Sequence, residues 1–85
     1  MAKVRFSVNA PGAKDVYLAG EFNGWDEKGQ KMRRSPKTKG LFVCSIELEP
    51  GRYEYKFVVD GQWICDEDAP RVPNSFGSEN SVIVV

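Results

Sequence analysis

Trp25, Trp63 and Lys56 are the residues of this chain best equipped to hold a ligand. An indole offers a flat apolar face with an N–H at its rim, and a lysine adds three mobile donors. Side chains of this kind can stack on a flat ring and bond its edge, which describes the face of a pyranose sugar or of a nucleobase. The chemistry of bond breaking is poorly supplied. No histidine occurs in the 85 residues, so the commonest general base and metal ligand near neutral pH is missing. The acidic cluster Asp66, Glu67 and Asp68 has neither the ligand spacing nor the glycine turn of a calcium loop and reads as a solvated loop. Carboxylates abound, but no surrounding pocket is apparent that would raise one pKa for glycosidic hydrolysis. The chain is therefore expected not to be an enzyme and to need no cofactor and no metal.

Charge narrows the partner. Twelve basic and twelve acidic residues cancel, so no overall field draws the chain to nucleic acid or to an anionic membrane, and an uncharged partner is expected. The basic run KGQKMRRSPKTKG, residues 28–40, is the segment a single-stranded nucleic acid would use; polar and flanked by glycine, it reads as a solvated loop, so no nucleic acid is expected. No apolar run approaches the roughly 20 residues of a membrane span, and MAKVRFSV lacks the apolar segment of a secretory signal. These features lead to an expectation of no membrane partner and a cytoplasmic location, for either a whole protein or an excised domain. Cys44 and Cys65 are too few for a disulfide framework and are read as free thiols.

The elements that must position these groups follow from a period of two. Val4, Phe6 and Val8 share one face of a first strand, and Val16 and Leu18 one face of a second. Phe42, Cys44, Ile46 and Leu48 form the stripe of a third, which ends at Pro50-Gly51. Tyr53, Tyr55, Phe57 and Val59 form the next, Val82 to Val85 a closing strand, and Met32 anchors a short one after Trp25. No segment has a helical period, and turn signals recur at the intervals of a sandwich. The expectation is an all-β chain, an antiparallel β-sandwich making one domain over residues 1–85.

Asp60-Gly61 sets the register of the key hairpin, because a two-residue type I′ turn needs positive φ at both positions. Val59 then pairs with Gln62, Val58 with Trp63, Phe57 with Ile64 and Lys56 with Cys65. Phe57, Ile64 and Tyr55 fall on the core face, while Trp63 falls on the face of Lys56 and Glu54. The alternative is that a loop covers Trp63 or that it packs sideways on Val58. Asn23-Gly24 makes a turn that holds Trp25 at a loop edge, unless the indole folds back to cap the sandwich. Two tryptophans so placed in a small domain point to a binding surface, and a sugar polymer suits both the indoles and the neutral charge.

The segments VYLAGEFNGW (16–25), Pro50-Gly51-X-Tyr-X-Tyr-Lys-Phe and VVDGQW (58–63), followed by Asp66, resemble carbohydrate-binding module family 48 across nearly the whole chain. The likeness is strongest to the glycogen-binding domain of AMP-activated protein kinase β subunits and extends to the N-terminal domains of isoamylases and branching enzymes. It implies an immunoglobulin-like, early-set sandwich that binds α-1,4-linked glucans such as glycogen, starch chains or cyclodextrins without cleaving them, and leaves room for a kinase or glucan-enzyme partner without implying one. Carried over one position at a time, the stacking tryptophans fall on Trp25 and Trp63 and the lysine on Lys56. In NSFGSENS (74–81), Phe76 stands where the kinase domains carry an inserting leucine, Ser78 replaces a threonine, and Asn80 is the asparagine that bonds hydroxyls. The alternative class is an interaction or spacer module that binds no glucan.

Overall fold

The computed structural model describes residues 1–85. Nine strands follow in order: β1 (Ala2–Asn9), β2 (Val16–Gly20), β3 (Gln30–Lys31), β4 (Arg33–Arg34), β5 (Leu41–Leu48), β6 (Arg52–Val59), β7 (Gln62–Ile64), β8 (Arg71–Pro73) and β9 (Glu79–Val84). A single 3-10 turn, Glu21–Asn23, interrupts them. All ladders are antiparallel. One sheet has the order β1-β5-β4, and the other runs β3-β2-β6-β9-β8 with β7 also paired to β6.

The alternating residues meet between the sheets. Phe6, Phe42, Cys44 and Leu48 from the small sheet pack against Val16, Leu18, Tyr55 and Phe57 from the large one, with Met32 buried between β3 and β4. The Phe6 ring meets Tyr55 edge-on at 5.0 Å, and Tyr55 meets Phe57 in the same way at 5.8 Å. Strand alternation delivers these side chains inward and leaves Glu54, Lys56 and Val58 on the outer face of β6.

The hairpin register is the one the turn demands: Val59 opposite Gln62, Val58 opposite Trp63, Phe57 opposite Ile64. Asp60 and Gly61 have φ of 48° and 86°, both positive as a type I′ turn requires. The Asp60 carboxylate also accepts from the backbone N–H groups of Lys14 and Asp15 at 3.0 and 2.8 Å, tying the turn to the β1–β2 loop.

Four expectations change. Ile64 shares Phe57's face, yet it is 37% exposed, because β7 leaves β6 after three residues and nothing closes over its end. For the same reason the ladder stops before Cys65, which pairs with no residue of β6; its thiol donates to the Glu79 carbonyl at 3.2 Å. The closing strand starts at Glu79 rather than Val82, since β9 takes over the β6 edge that β7 vacates. At that handover the Asp66 backbone N–H donates to Ser81 Oγ and the Tyr55 hydroxyl donates to Asp66 Oδ2, each at 2.7 Å. Asp66 is thus half-buried and bonded, not part of a freely solvated acidic loop. Burial and the adjacent Asp66 carboxylate push the Tyr55 hydroxyl far up from its usual pKa, so it stays a donor.

Candidate functional site

The outer face of the large sheet carries a cleft of about 590 Å³. Four pieces of chain build it. The first is β6, whose parity turns Glu54 and Lys56 outward; the second is β7, whose register places Trp63 opposite Val58. Val58 is buried beneath this face, so Trp63 both covers the strand and leaves 38% of its own surface open.

The third piece is the turn after β2. Asn23 fixes it: its Oδ1 accepts from the Gly20 N–H at 3.0 Å and its Nδ2 donates to the Leu18 carbonyl at 2.9 Å. Gly24 then takes φ of 68°, and Trp25 follows at φ of 61°, with its N–H closing on the Gly20 carbonyl at 2.9 Å. A left-handed conformation costs a non-glycine residue about 1–2 kcal/mol, and here it turns the indole over the sheet. Gly20 is required by space. A Cβ there would stand 2.7 Å from the Glu54 carbonyl oxygen and 2.8 Å from the Phe22 ring. The Trp25 and Trp63 rings lie 6.5 Å apart at 40°, forming an angled wall.

The fourth piece is the segment joining β8 to β9, which Asn74 organises. Its Oδ1 accepts from the N–H groups of Phe76 and Ser78 at 2.9 and 3.1 Å, and its Nδ2 donates to Ser78 Oγ at 2.9 Å and Asn80 Oδ1 at 3.0 Å. The loop so closed holds Phe76 outward, 91% exposed, at the cleft's edge. Asn80 sits low in the cleft, 8% exposed, with its Nδ2 donating to Glu54 Oε1 at 3.1 Å.

All six residues named from the sequence line this one cleft: Trp25, Lys56, Trp63, Phe76, Ser78 and Asn80. Lys56 is half-buried and unpaired, the chain's two ion pairs being Lys31–Asp15 and Arg52–Glu54. Sequence reasoning left out Glu21, Glu54 and Asn74, which also line it. Glu54 was within reach, since it shares Lys56's strand parity. Asn74 heads an Asn-Ser-X-Gly turn but shows its role only once both of its side-chain groups find partners; Glu21 gives no signal at all. Glu54 is held below the usual carboxylate range, chiefly by the Asn80 hydrogen bond and then by Arg52. A second concavity, of about 780 Å³, adjoins across Trp63 and carries Asp66, Glu67, Asp68 and Glu79. No three His, Cys, Asp or Glu side chains are grouped to hold a metal ion.

The chain matches the profile of the family described as the glycogen recognition site of AMP-activated protein kinase over residues 3–85. It belongs to that family. Among its relatives, the chloroplastic protein PTST homolog 2 of Arabidopsis thaliana is 42% identical over 73 residues, covering 86% of this chain and 13% of that protein. The 5'-AMP-activated protein kinase subunit beta-1 of Sus scrofa is 40% identical over 74 residues, covering 87% of this chain and 57% of that sequence. A maltogenic amylase from S. marinus superposes with a TM-score of 0.73 at 29% identity, covering 98% of this chain and 13% of the amylase. The chain thus spans only part of each protein it matches, and its fold is the immunoglobulin-like antiparallel sandwich of a carbohydrate-binding module. No helix is long and apolar enough to cross a membrane.

Proposed function

We propose that residues 1–85 act as one non-catalytic module that binds α-1,4-linked glucans, glycogen or starch chains and cyclodextrin-like oligosaccharides, in the cleft between Trp25 and Trp63. The observation that carries this reading is the pair of indoles set 6.5 Å apart at 40°, above a floor of hydrogen-bonding groups. An angled wall suits a curved chain, in which successive pyranose rings turn relative to one another, better than it suits a flat stack of bases. Trp25, Trp63 and Phe76 present apolar faces; Lys56, Ser78 and Asn80 meet hydroxyls. Glu54 itself is a poor general acid for glycoside hydrolysis, which needs a raised pKa, because this carboxyl is held low.

Family membership and the relatives' names support a larger setting: attachment to, or assembly with, a kinase or a glucan-metabolising enzyme; neither nucleic acid nor membrane is proposed as a partner. A cytoplasmic location is part of the proposal, although two relatives are named chloroplastic. Titration of β-cyclodextrin and maltoheptaose, followed by intrinsic tryptophan fluorescence, tests the reading. A saturable change lost in Trp25→Ala and Trp63→Ala is expected. No change at millimolar sugar, with the fold verified, would transfer support to an interaction module that binds no glucan.

A further inference from the structure

We infer that Glu54 is a positioning residue for the glucan site: together with Asn74 it fixes which way the Asn80 amide faces. The inference rests on the proposed glucan reading and assigns a role to side chains that the stacking residues do not explain. A primary amide has two donors and two acceptor lone pairs, and its ends can exchange by rotation about its terminal torsion unless neighbours distinguish them. Here they do. Asn80 Nδ2 donates to Glu54 Oε1 at 3.1 Å, and Asn80 Oδ1 accepts from Asn74 Nδ2 at 3.0 Å. An ionised carboxylate cannot donate, so a rotated Asn80 would set its oxygen against Glu54 and its nitrogen against another nitrogen.

Glu54 is itself held from three sides. Arg52 Nη1 donates to Glu54 Oε2 at 3.1 Å, the Glu54 backbone N–H donates to Glu21 Oε1 at 2.7 Å, and β6 pairs with β9 through Glu54 opposite Val82. Asn74 is fixed by the two loop N–H groups its oxygen accepts. Asn80 therefore keeps one N–H and one lone pair of defined position, which is the pairing a sugar's neighbouring hydroxyls need when one donates and the next accepts. The low pKa of Glu54 keeps this arrangement intact at neutral pH.

Maltoheptaose titrations of the wild type, Glu54→Ala, Glu54→Gln, Asn80→Ala and the Glu54→Ala/Asn80→Ala double variant test this, each with a melting curve. Glu54→Ala is expected to weaken binding roughly tenfold, the effect of losing one charge-assisted hydrogen bond's ordering. Glu54→Gln should recover part of that loss, because its carbonyl can accept the same Asn80 N–H while Asn74 still opposes rotation, although its amide, unlike the carboxylate, can also donate. The double variant should bind no worse than Asn80→Ala alone, since a residue that acts through Asn80 has nothing left to position. Wild-type affinity in Glu54→Ala, no recovery in Glu54→Gln, or additive losses in the double variant would overturn the inference while leaving the glucan site standing. Failure of the wild type to bind maltoheptaose at all would instead overturn the glucan reading, and the inference with it.

Discussion

Removing the Trp63 indole perturbs the cleft where its contribution can be worked from the structure. Trp63 is 38% exposed in the free chain, and an aromatic side chain offers up to about 250 Å², so about 95 Å² is open. A pyranose covering half of that surface removes about 50 Å² from the indole and a like area from the sugar, which at about 25 cal/mol per Å² comes to about 2.5 kcal/mol. Trp63→Ala is thus expected to weaken maltoheptaose binding by roughly 50-fold or more. The assay should be a titration of the short oligosaccharide by calorimetry, because a branched polymer would hide a weak site behind avidity. Val58 lies buried opposite Trp63, so the variant also loses some stability and its melting curve must accompany the titration. A folded Trp63→Ala that binds maltoheptaose within twofold of the wild type would refute both the area argument and the placement of the sugar.

Gly20→Ala forces a Cβ to 2.7 Å from the Glu54 carbonyl oxygen and is expected to cost about 1–3 kcal/mol of stability, read as a lower Tm, and to weaken sugar binding by displacing Trp25. Asp60→Ala removes the acceptor of the Lys14 and Asp15 N–H groups and should lower the melting temperature. The same pairing holds the Asp60 carboxyl below its usual range, first through the Asp15 N–H. Its stabilisation is therefore fully present above the ordinary aspartate pKa and is lost as pH falls through the lowered value; a wild-type minus variant Tm difference that did not shrink on acidification would refute this. Burial pushes the Cys44 thiol up to about 11, so a thiol reagent at about pH 8 should modify Cys65 first and Cys44 only on unfolding, as peptide mapping would show.

The hairpin that carries Trp63 was legible because two local rules agreed. A type I′ turn at Asp60-Gly61 admits one register, and the period of two then assigns every side chain of β6 and β7 to a face. Ile64 shows where that logic ends. Parity gives direction, not cover, and whether a core-facing residue is enclosed depends on where the neighbouring strand stops and which segment replaces it. Asp66 carries the same lesson: the first residue of an acidic loop becomes half-buried and bonded once β9 brings Ser81 beside it and the Tyr55 hydroxyl reaches it.

Trp25 was placed at a loop edge by Asn23-Gly24, but its orientation depends on a backbone that no propensity favours. Two successive residues adopt positive φ, and the second is a tryptophan. Such a conformation persists only where surrounding bonds over-determine it, here Asn23 to the backbone at residues 18 and 20 and the Trp25 N–H to Gly20. The two tryptophans of the cleft could be found from their type, since a tryptophan on a polar face stands out, whereas Phe76 was reached only through the family resemblance. Glu54 could be placed on the cleft face by strand parity but not given a role, and Asn74 could not be found at all, because glutamate and asparagine are ordinary on a surface and gain meaning only from the geometry of their partners. What sequence shows most readily is thus the part of the site that supplies contact area, while the part that sets direction emerges from the crossing of β6, β9 and the loop at Asn74.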